Sequence, residues 1–494
     1  MSRRWKILIA VGIVLGMAIL VPVIHHYQLR AATEAYIAQL KAQGEPMELA
    51  EVIPPPVPPE QNGVPFITNA LAHLEDDIAT TGVPFVVQMA IPGKAIVESQ
   101  QPDIRSSTGT NKWTWEEFGV ELAGNQNELN SFQSLIDHPL LDFNLDYSQG
   151  WSMPIPHLGK LRLAVQWLSA ATLYDLHHGN PPGACTNVQI ILAIIKGETD
   201  ERTTVSQLVR VALASISAGD TWEILQYPNV SDNALARLQQ DWDSLRFLAP
   251  SERALLWERV AAVMIFDKTR RSDFRRIFRP TRGKWVETEW DLLWSYEDEL
   301  CGLRAYQVVI EATRMAETNE SFQPVLSFVH SNFVRLGLEE ENGKTQLTNF
   351  DLSLNEETRV IFTRGAYASF AALRRTATIK TLQTIVITAI ALKRYELRYH
   401  HWPNTLDELV PEFLKSIPTD YMDGQPLRYR RNADGTFLLY SVGENGKDDG
   451  GNPALEQGLE SSGNYWLNPH ALDWVWPQPA TPEEVQNYYA HPPK

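Results

Sequence analysis

The chain opens on its longest apolar stretch, an uncharged run from Ile7 to Ile24 preceded by Arg3, Arg4 and Lys6. Such a run is just long enough to cross the hydrocarbon core of a bilayer as a helix. Arg30 is the first basic residue after it. The positive-inside rule therefore expects the N-terminus in the cytoplasm and the bulk of the chain outside. The sequence Pro22-Val23-Ile24-His25-His26 offers no small-x-small cleavage step, and no cysteine lies close behind it for lipid attachment. The run reads as a signal-anchor in preference to a cleaved signal peptide.

Helical spacing governs most of the chain beyond this run. Residues 28 to about 50 carry Ala31, Ala32, Ala35, Ile37, Ala38 and Leu40, and read as a helical stalk ended by Gly44 and Pro46. Pro54-Pro55-Pro56-Val57-Pro58-Pro59 then favours a stiff extended spacer. Residues 90–155 are irregular. Beyond them Leu161, Ala164, Val165, Leu168 and Ala171 form one stripe, Val188, Ile191, Leu192 and Ile195 a second, and Val205, Leu208, Val209, Ala212 and Ile216 a third. Each follows the spacing of a one-sided helix. Thr204 with Gln207 is a capping-box pattern, Asp220 with Glu223 resembles another, and Gly219 punctuates the end of the third helix. Gly179-Asn180-Pro181-Pro182-Gly183 is a turn short enough to require antiparallel neighbours. Further helices are expected around Leu235-Leu238-Trp242-Leu245 and Leu256-Val260-Val263, the latter capped by Ser251. Helical hairpins of this kind build a bundle or a solenoid, and no strict repeat decides between them.

After about Arg364 the pattern changes. A long apolar helix runs from Ala366 to near Tyr399, interrupted by Lys380, Lys393 and several threonines, and reads as a core helix. Leu427 and Tyr429 alternate with Arg428 and Arg430, the turn Asn432-Ala433-Asp434-Gly435 comes next, and Phe437 to Val442 returns as a hairpin. Trp466, Trp474, Val475 and Trp476 are expected to pack back on this part, and the residues after Pro479 to be loosely ordered.

Composition narrows the classes. The net charge of −17 opposes binding to nucleic acid phosphates. A basic cluster (Lys268, Arg270, Arg271, Arg275, Arg276, Arg279, Arg282 and Lys284) stands against that background, either as an anionic-ligand surface or as a solvated loop facing the chain's own acid. The two cysteines, Cys185 and Cys301, fit no zinc pattern and are either one disulfide or two separate thiols. No nucleophile elbow, zincin, phosphate-loop or dinucleotide motif occurs, and no catalytic residue is assigned. The pairs His25-His26, His177-His178 and His400-His401 place adjacent rings in different directions, which suits no bidentate metal site.

The C-terminal motifs are more specific. The order is long helix, Trp402-Pro403, Leu406-Asp407-Glu408-Leu409, Pro418-Thr419-Asp420, Gly424-Gln425-Pro426-Leu427-Arg428-Tyr429, hairpin, then Ser441-Val442-Gly443-Glu444-Asn445-Gly446-Lys447-Asp448-Asp449-Gly450-Gly451. It resembles the C-terminal part of the type II secretion major pseudopilin (protein G-like). It resembles more closely a membrane-anchored family of uncharacterised proteins from Planctomycetes and Verrucomicrobia, which carry such a module behind a helical domain. The motif-rich likeness covers residues 366–476. A weaker likeness lies in Gly179-Asn180 and Val205-Ser206-Gln207-Leu208-Val209-Arg210. The resemblance implies a calcium site in the Gly443-to-Asn452 loop, where Asn445, Asp448, Asp449 and Asn452 offer hard oxygen ligands. The same residue types also make an ordinary tight surface turn. The processed prepilin N-terminus of pilin-like proteins is missing, and His400 or His401 replaces the usual glycine before the aromatic-Pro step.

The expectation is a mainly α chain: a transmembrane helix (1–27), a helical stalk and Pro-rich spacer (28–63), a helical-hairpin domain (64–365), a pseudopilin-like α+β module (366–478) and a tail (479–494). It is expected to be a non-enzymatic envelope protein in the inner membrane, with its bulk in the periplasm and a structural or protein-interaction role. Its partners would be the membrane, through the N-terminal helix, and envelope proteins. The alternative is an accessory of a type II secretion or pilus-like system.

Overall fold

A computed structural model describes residues 3–74, 87–105, 112–268, 270, 295–338, 361–455 and 471–491. Among them the fold is mainly helical, with one N-terminal apolar helix and a small C-terminal sheet. The first helix, α1 (Arg3–Ala42), carries the apolar run and continues without a break into the stalk. Leu8, Val14, Leu15 and Leu20 are exposed, whereas Thr33 and Leu40 further along are buried. Thr33 Oγ1 donates to the carbonyl of Tyr296 at 3.2 Å. The stalk is therefore built into the body. Burial would raise the Glu45 carboxyl, but hydrogen bonds from Arg314 and Gln307 and the charges of Arg259 and Arg314 hold it down at about 2. Arg259 is fully buried and donates to Glu45 at 3.1 Å and to the Pro46 carbonyl at 2.9 Å. A buried ion pair of this kind fixes geometry more than it adds stability.

The helical body comprises α2 (Val64–His73), α3 (Trp115–Gly124), α4 (Pro156–His177), α5 (Pro181–Gly197), α6 (Thr204–Gln226), α7 (Asp232–Ser244), α8 (Leu248–Lys268), α9 (Ser295–Thr318) and α10 (Gln323–Arg335). The stripes expected for α4 and α5 are the ones buried: Leu161, Val165 and Leu168 in one, Val188, Ile191 and Ile195 in the other. Gly179, in the left-handed region at φ +75°, and Asn180, which caps α5 through Gly183 N–H at 3.2 Å, make the turn between them. In α6 the expectation fails. Val205 is half exposed, while Ser206, Gln207, Arg210, Ser217, Asp220, Thr221 and Glu223 are buried. The cap is Thr203, which accepts from Ser206 N–H. Gly219 does not end this helix; it lies inside it, where an added Cβ would stand 3.3 Å from Val87 Cγ2. Ser251, expected as a cap, lies within α8 and donates to the carbonyl of Phe247. Cys185 is in the core, Cys301 packs on a different cluster, and the two are not joined.

The last long helix, α11 (Ile361–Tyr399), joins the two main cores. Its first half gives Ala366, Leu373 and Ala377 to a cluster with Leu40, Val309, Phe333 and Trp474. Its second half gives Ile379, Leu382, Ile385, Val386 and Ile390 to a cluster with Leu161, Ile191, Trp222 and Trp242. It packs against α6, α7, α8 and α9. Thr376, Thr381, Thr384 and Thr388 each donate to the carbonyl four residues back, which lets them sit in an apolar helix. Lys380 places its ammonium 3.6 Å from the centre of the Tyr421 ring.

Strands are short. β1 (Met89–Ile91) pairs antiparallel with β2 (Lys94–Ala95), and β3 (Ile104–Arg105) pairs antiparallel with β4 (Lys112–Trp113). The expected hairpin is present as β5 (Arg428–Arg431) and β6 (Phe437–Ser441), with β7 (Trp474–Val475) added on the far side of β6. Trp474 and Trp476 are buried, as expected; Trp466 lies outside the described residues. β8 (Gln478–Pro479) runs parallel to β2, tying the C-terminal segment to the start of the body. The tail is not loose. Thr481 and Glu484 make a capping box for α12 (Pro482–Ala490), whose Val485 and Tyr488 pack on Ile96, and Glu484 pairs with Lys94 at 2.7 Å.

His400 closes α11 in the left-handed region at φ +62°, with its N–H donating to the Glu396 carbonyl at 2.8 Å. A residue with a Cβ is strained there, and glycine is the usual helix terminator. His400→Gly is expected to raise stability by about 1 kcal/mol, read as a higher denaturation midpoint with an unchanged slope.

Candidate functional site

The four loop residues expected to bind calcium are engaged within the loop and with the adjacent hairpin. Asn445 Oδ1 accepts from Lys447 N–H at 2.8 Å, and Asn445 Nδ2 donates to Asp449 at 3.2 Å. Asp448 accepts from Tyr440 OH at 2.8 Å and Gly450 N–H at 3.0 Å, with Arg428 Nε at 3.5 Å. Asn452 Oδ1 accepts from Ala454 N–H at 3.1 Å. The loop closes around a residue not singled out from sequence, Asp473. Its buried carboxylate accepts from the N–H groups of Asp449, Gly451 and Asn452 at 3.4, 2.8 and 2.8 Å. Asp420, of the Pro-Thr-Asp motif, acts similarly: fully buried, it accepts from Ser441 Oγ and from the N–H groups of Met422 and Val442.

The histidine pairs serve packing. His177 stacks on Trp115 at 4.0 Å and holds the Ser99 carbonyl at 2.9 Å; His178 lies against Tyr174; His400 and His401 are exposed. Of the basic cluster, Lys268 and Arg270 are described; Arg270 pairs with Glu299 at 2.6 Å and covers the Tyr296 ring. The other six lie outside the described residues.

Two groups of buried acids emerge along α6 instead. At its C-terminal half, Glu223 accepts from the N–H of Glu98 at 2.7 Å and from Ser99 Oγ at 2.8 Å, while Asp220 accepts from Ser169 at 2.6 Å. Burial pushes Asp220 up to about 8 and Glu223 up to about 7, against the hydrogen bonds that favour their charged forms. Glu98 is raised as well, by burial and then by the charge of Glu223. Glu223 clamps the Glu98–Gln100 turn onto α6, and Asp220 joins α6 to α4.

At the N-terminal end of α6, three segments converge. His157 is the second residue of α4, placed by Pro156 at the helix start, and its ring stacks on Phe143 at 4.2 Å. Glu198 opens the single turn after α5, and Glu201 closes that turn ahead of α6. His157 Nε2 is 2.5 Å from Glu201 Oε1, and Ser206 Oγ donates to the other Glu201 oxygen at 2.5 Å. Gln207 holds the Glu201 carbonyl at 2.8 Å. Glu198 is 1% exposed, and neither of its carboxyl oxygens accepts a hydrogen bond. Burial, and after it the charge of Glu201, keeps its proton on well above the usual carboxylate range. The nearby Arg210 guanidinium is committed to the carbonyls of Ile195 and Arg246 and to Gln207 and Thr199. One ligand atom from each of His157, Glu198 and Glu201 lies within 4.8 Å of the others. Among the described residues this is the group of histidine and carboxylate side chains close enough to share an ion.

None of these three residues stands out in the sequence, since His157 and the Glu198-x-x-Glu201 step are far apart and match no motif. The available signal was the helical recurrence of Ser206, Arg210, Ser217 and Asp220 opposite the apolar stripe of α6. Comparison with protein-family models, with curated proteins and with solved structures gives no match.

The raised acids of α6 set a pH dependence. A carboxyl whose folded pKa lies above its unfolded value stabilises the fold below the unfolded pKa, and that contribution is lost as pH rises through the folded pKa. For Asp220 the loss completes as pH passes about 8. The protein is expected to be less stable at pH 9 than at pH 6. Asp220→Asn should remove about 1 kcal/mol of that difference per pH unit between the unfolded and folded pKa values, measured by denaturant unfolding across the range.

Proposed function

We propose that this chain is a single-pass envelope protein of the inner membrane, N-terminus inside and bulk outside, with a structural or protein-interaction role. The observation that carries the reading is the continuity of α1. One helix takes the exposed apolar run Ile7 to Ile24 directly into the body, where Thr33, Leu40 and then Glu45 are held. An apolar exposed surface of that length is costly in water and favourable in lipid. The basic residues ahead of the run support the inside position of the N-terminus.

The C-terminal part, a long helix followed by a small antiparallel sheet and a Gly/Asp loop, supports the pseudopilin-like reading of residues 366–478. In the proposed role this module is a fixed end piece. Pilin-like assembly uses an exposed N-terminal helix, whereas α11 is covered by α6, α7, α8 and α9. That favours the structural role over accessory service in a secretion or pilus-like machine.

Alkaline carbonate treatment should leave the protein in the membrane pellet, and protease added to spheroplasts should remove a C-terminal epitope without lysis. Release by carbonate, or protection of the epitope until lysis, would refute the anchored, outward-facing reading. Calcium at Asn445, Asp448, Asp449 and Asn452 is proposed as a loop stabiliser. A melting temperature that falls with chelator and recovers with calcium supports it, and an unchanged one removes it.

A further inference from the structure

We infer that His157, Glu198 and Glu201 form a binding site for one divalent transition-metal ion, of which zinc is the natural probe, locking α4, α5 and α6 at their junction. Glu198 is the least accommodated of the three. A carboxyl group that is 1% exposed and accepts no hydrogen bond at either oxygen is costly to bury. Its side-chain hydrogen bond is the one it shares with Glu201, which requires Glu198 to keep its proton, and Glu201 is already engaged by His157 and Ser206. The Arg210 charge acts on Glu198 from nearby, but its N–H groups donate to Ile195, Gln207, Thr199 and Arg246. What the three groups share is proximity: one ligand atom from each lies within 4.8 Å of the others. Binding would bring an imidazole nitrogen and two carboxyl oxygens to the roughly 2.0–2.2 Å that zinc takes from such ligands.

The donor set chooses the ion. An imidazole with carboxylates suits zinc and its first-row neighbours, whereas calcium and magnesium favour all-oxygen shells. The surroundings are those of a prepared ligand set. Phe143 fixes the plane of the His157 ring, and Ser206 and Gln207 fix Glu201 through its side chain and its carbonyl. Such supporting contacts are what orient ligands around a bound metal. The site is separate from the Gly443-to-Asn452 loop in sequence and in donor chemistry, and the inference does not depend on the anchored reading.

The test uses the full chain in detergent, stripped with a chelator, dialysed, and titrated with zinc alone, with calcium and manganese run in parallel. Bound metal is counted by mass spectrometry and the melting temperature is followed. The wild type is expected to keep one equivalent of zinc and to melt at a higher temperature with it. Glu198→Gln preserves the shape of the side chain and should weaken zinc at least about 100-fold; His157→Ala should do the same. The double variant His400→Asn, His401→Asn should keep the equivalent, as should one in which His25 and His26 are replaced by Asn, which separates the site from exposed histidines. The inference is overturned if the wild type retains no stoichiometric zinc, or if Glu198→Gln binds it as tightly as the wild type. If His157→Ala does not fold, Glu198→Gln and the wild-type stoichiometry decide the matter.

Discussion

A long helix with apolar residues buried along most of its length has to be covered by the elements around it, and α11 imposes that requirement on the rest of the molecule. Over its 39 residues it meets α9 and α8 near its start, α6 and α7 further along, and strand β6. The body helices and the C-terminal sheet are thus two coats on one rod. Removing either would expose Ile385, Val386 and Ile390, or Leu373 and Ala377, to water. The chain's last residues reinforce the arrangement. The Pro477 carbonyl accepts from Trp222 near the C-terminal end of α6 at 2.9 Å, and β8 pairs with β2.

The second organising element is buried polarity. In a chain of net charge −17, Arg210 and Arg259 are almost completely enclosed, and each gathers oxygens from segments distant in sequence. Asp420 and Asp473 do the reverse, gathering N–H groups of the C-terminal loops. An apolar core of this size could pack in many ways. A buried guanidinium or carboxylate is satisfied in few of them, and that is how such groups select one arrangement.

What could be read from the sequence divides along the same line. α1, α4, α5, α11 and the hairpin were legible because apolar spacing and turn chemistry determine them locally. α6 was half legible. Its existence was plain, but Val205 and Ala212 drew attention to the outer face, since the inner one is lined by Ser206, Arg210, Ser217 and Asp220, which ordinarily mark a surface. The same bias turned Asp220 and Glu223 into a cap and Gly219 into a terminus. The stalk passed for a separate element because the partners of Glu45 are Arg259 and Arg314, more than two hundred residues on. The tail passed for loose because its partners, Ile96 and Lys94, lie near the other end of the chain. The His157, Glu198 and Glu201 group could not be found from spacing at all, because three chain segments meet only after the helices have packed.

The unbroken passage of α1 from its exposed apolar run into the body has a mechanical meaning. The two share one continuous helix, with Pro22 inside the apolar run, and contacts with the body begin soon after it: the His26 and Tyr296 ring centres lie 5.1 Å apart, and Thr33 and Glu45 are held further along. A single helix of this length reaches about 60 Å. Transmembrane helices tilt to match the thickness of the bilayer around them. In the proposed anchored arrangement, with span and body on one continuous helix, such a tilt would swing the folded mass with it, and the thickness of the lipid would set the direction in which the distal face points.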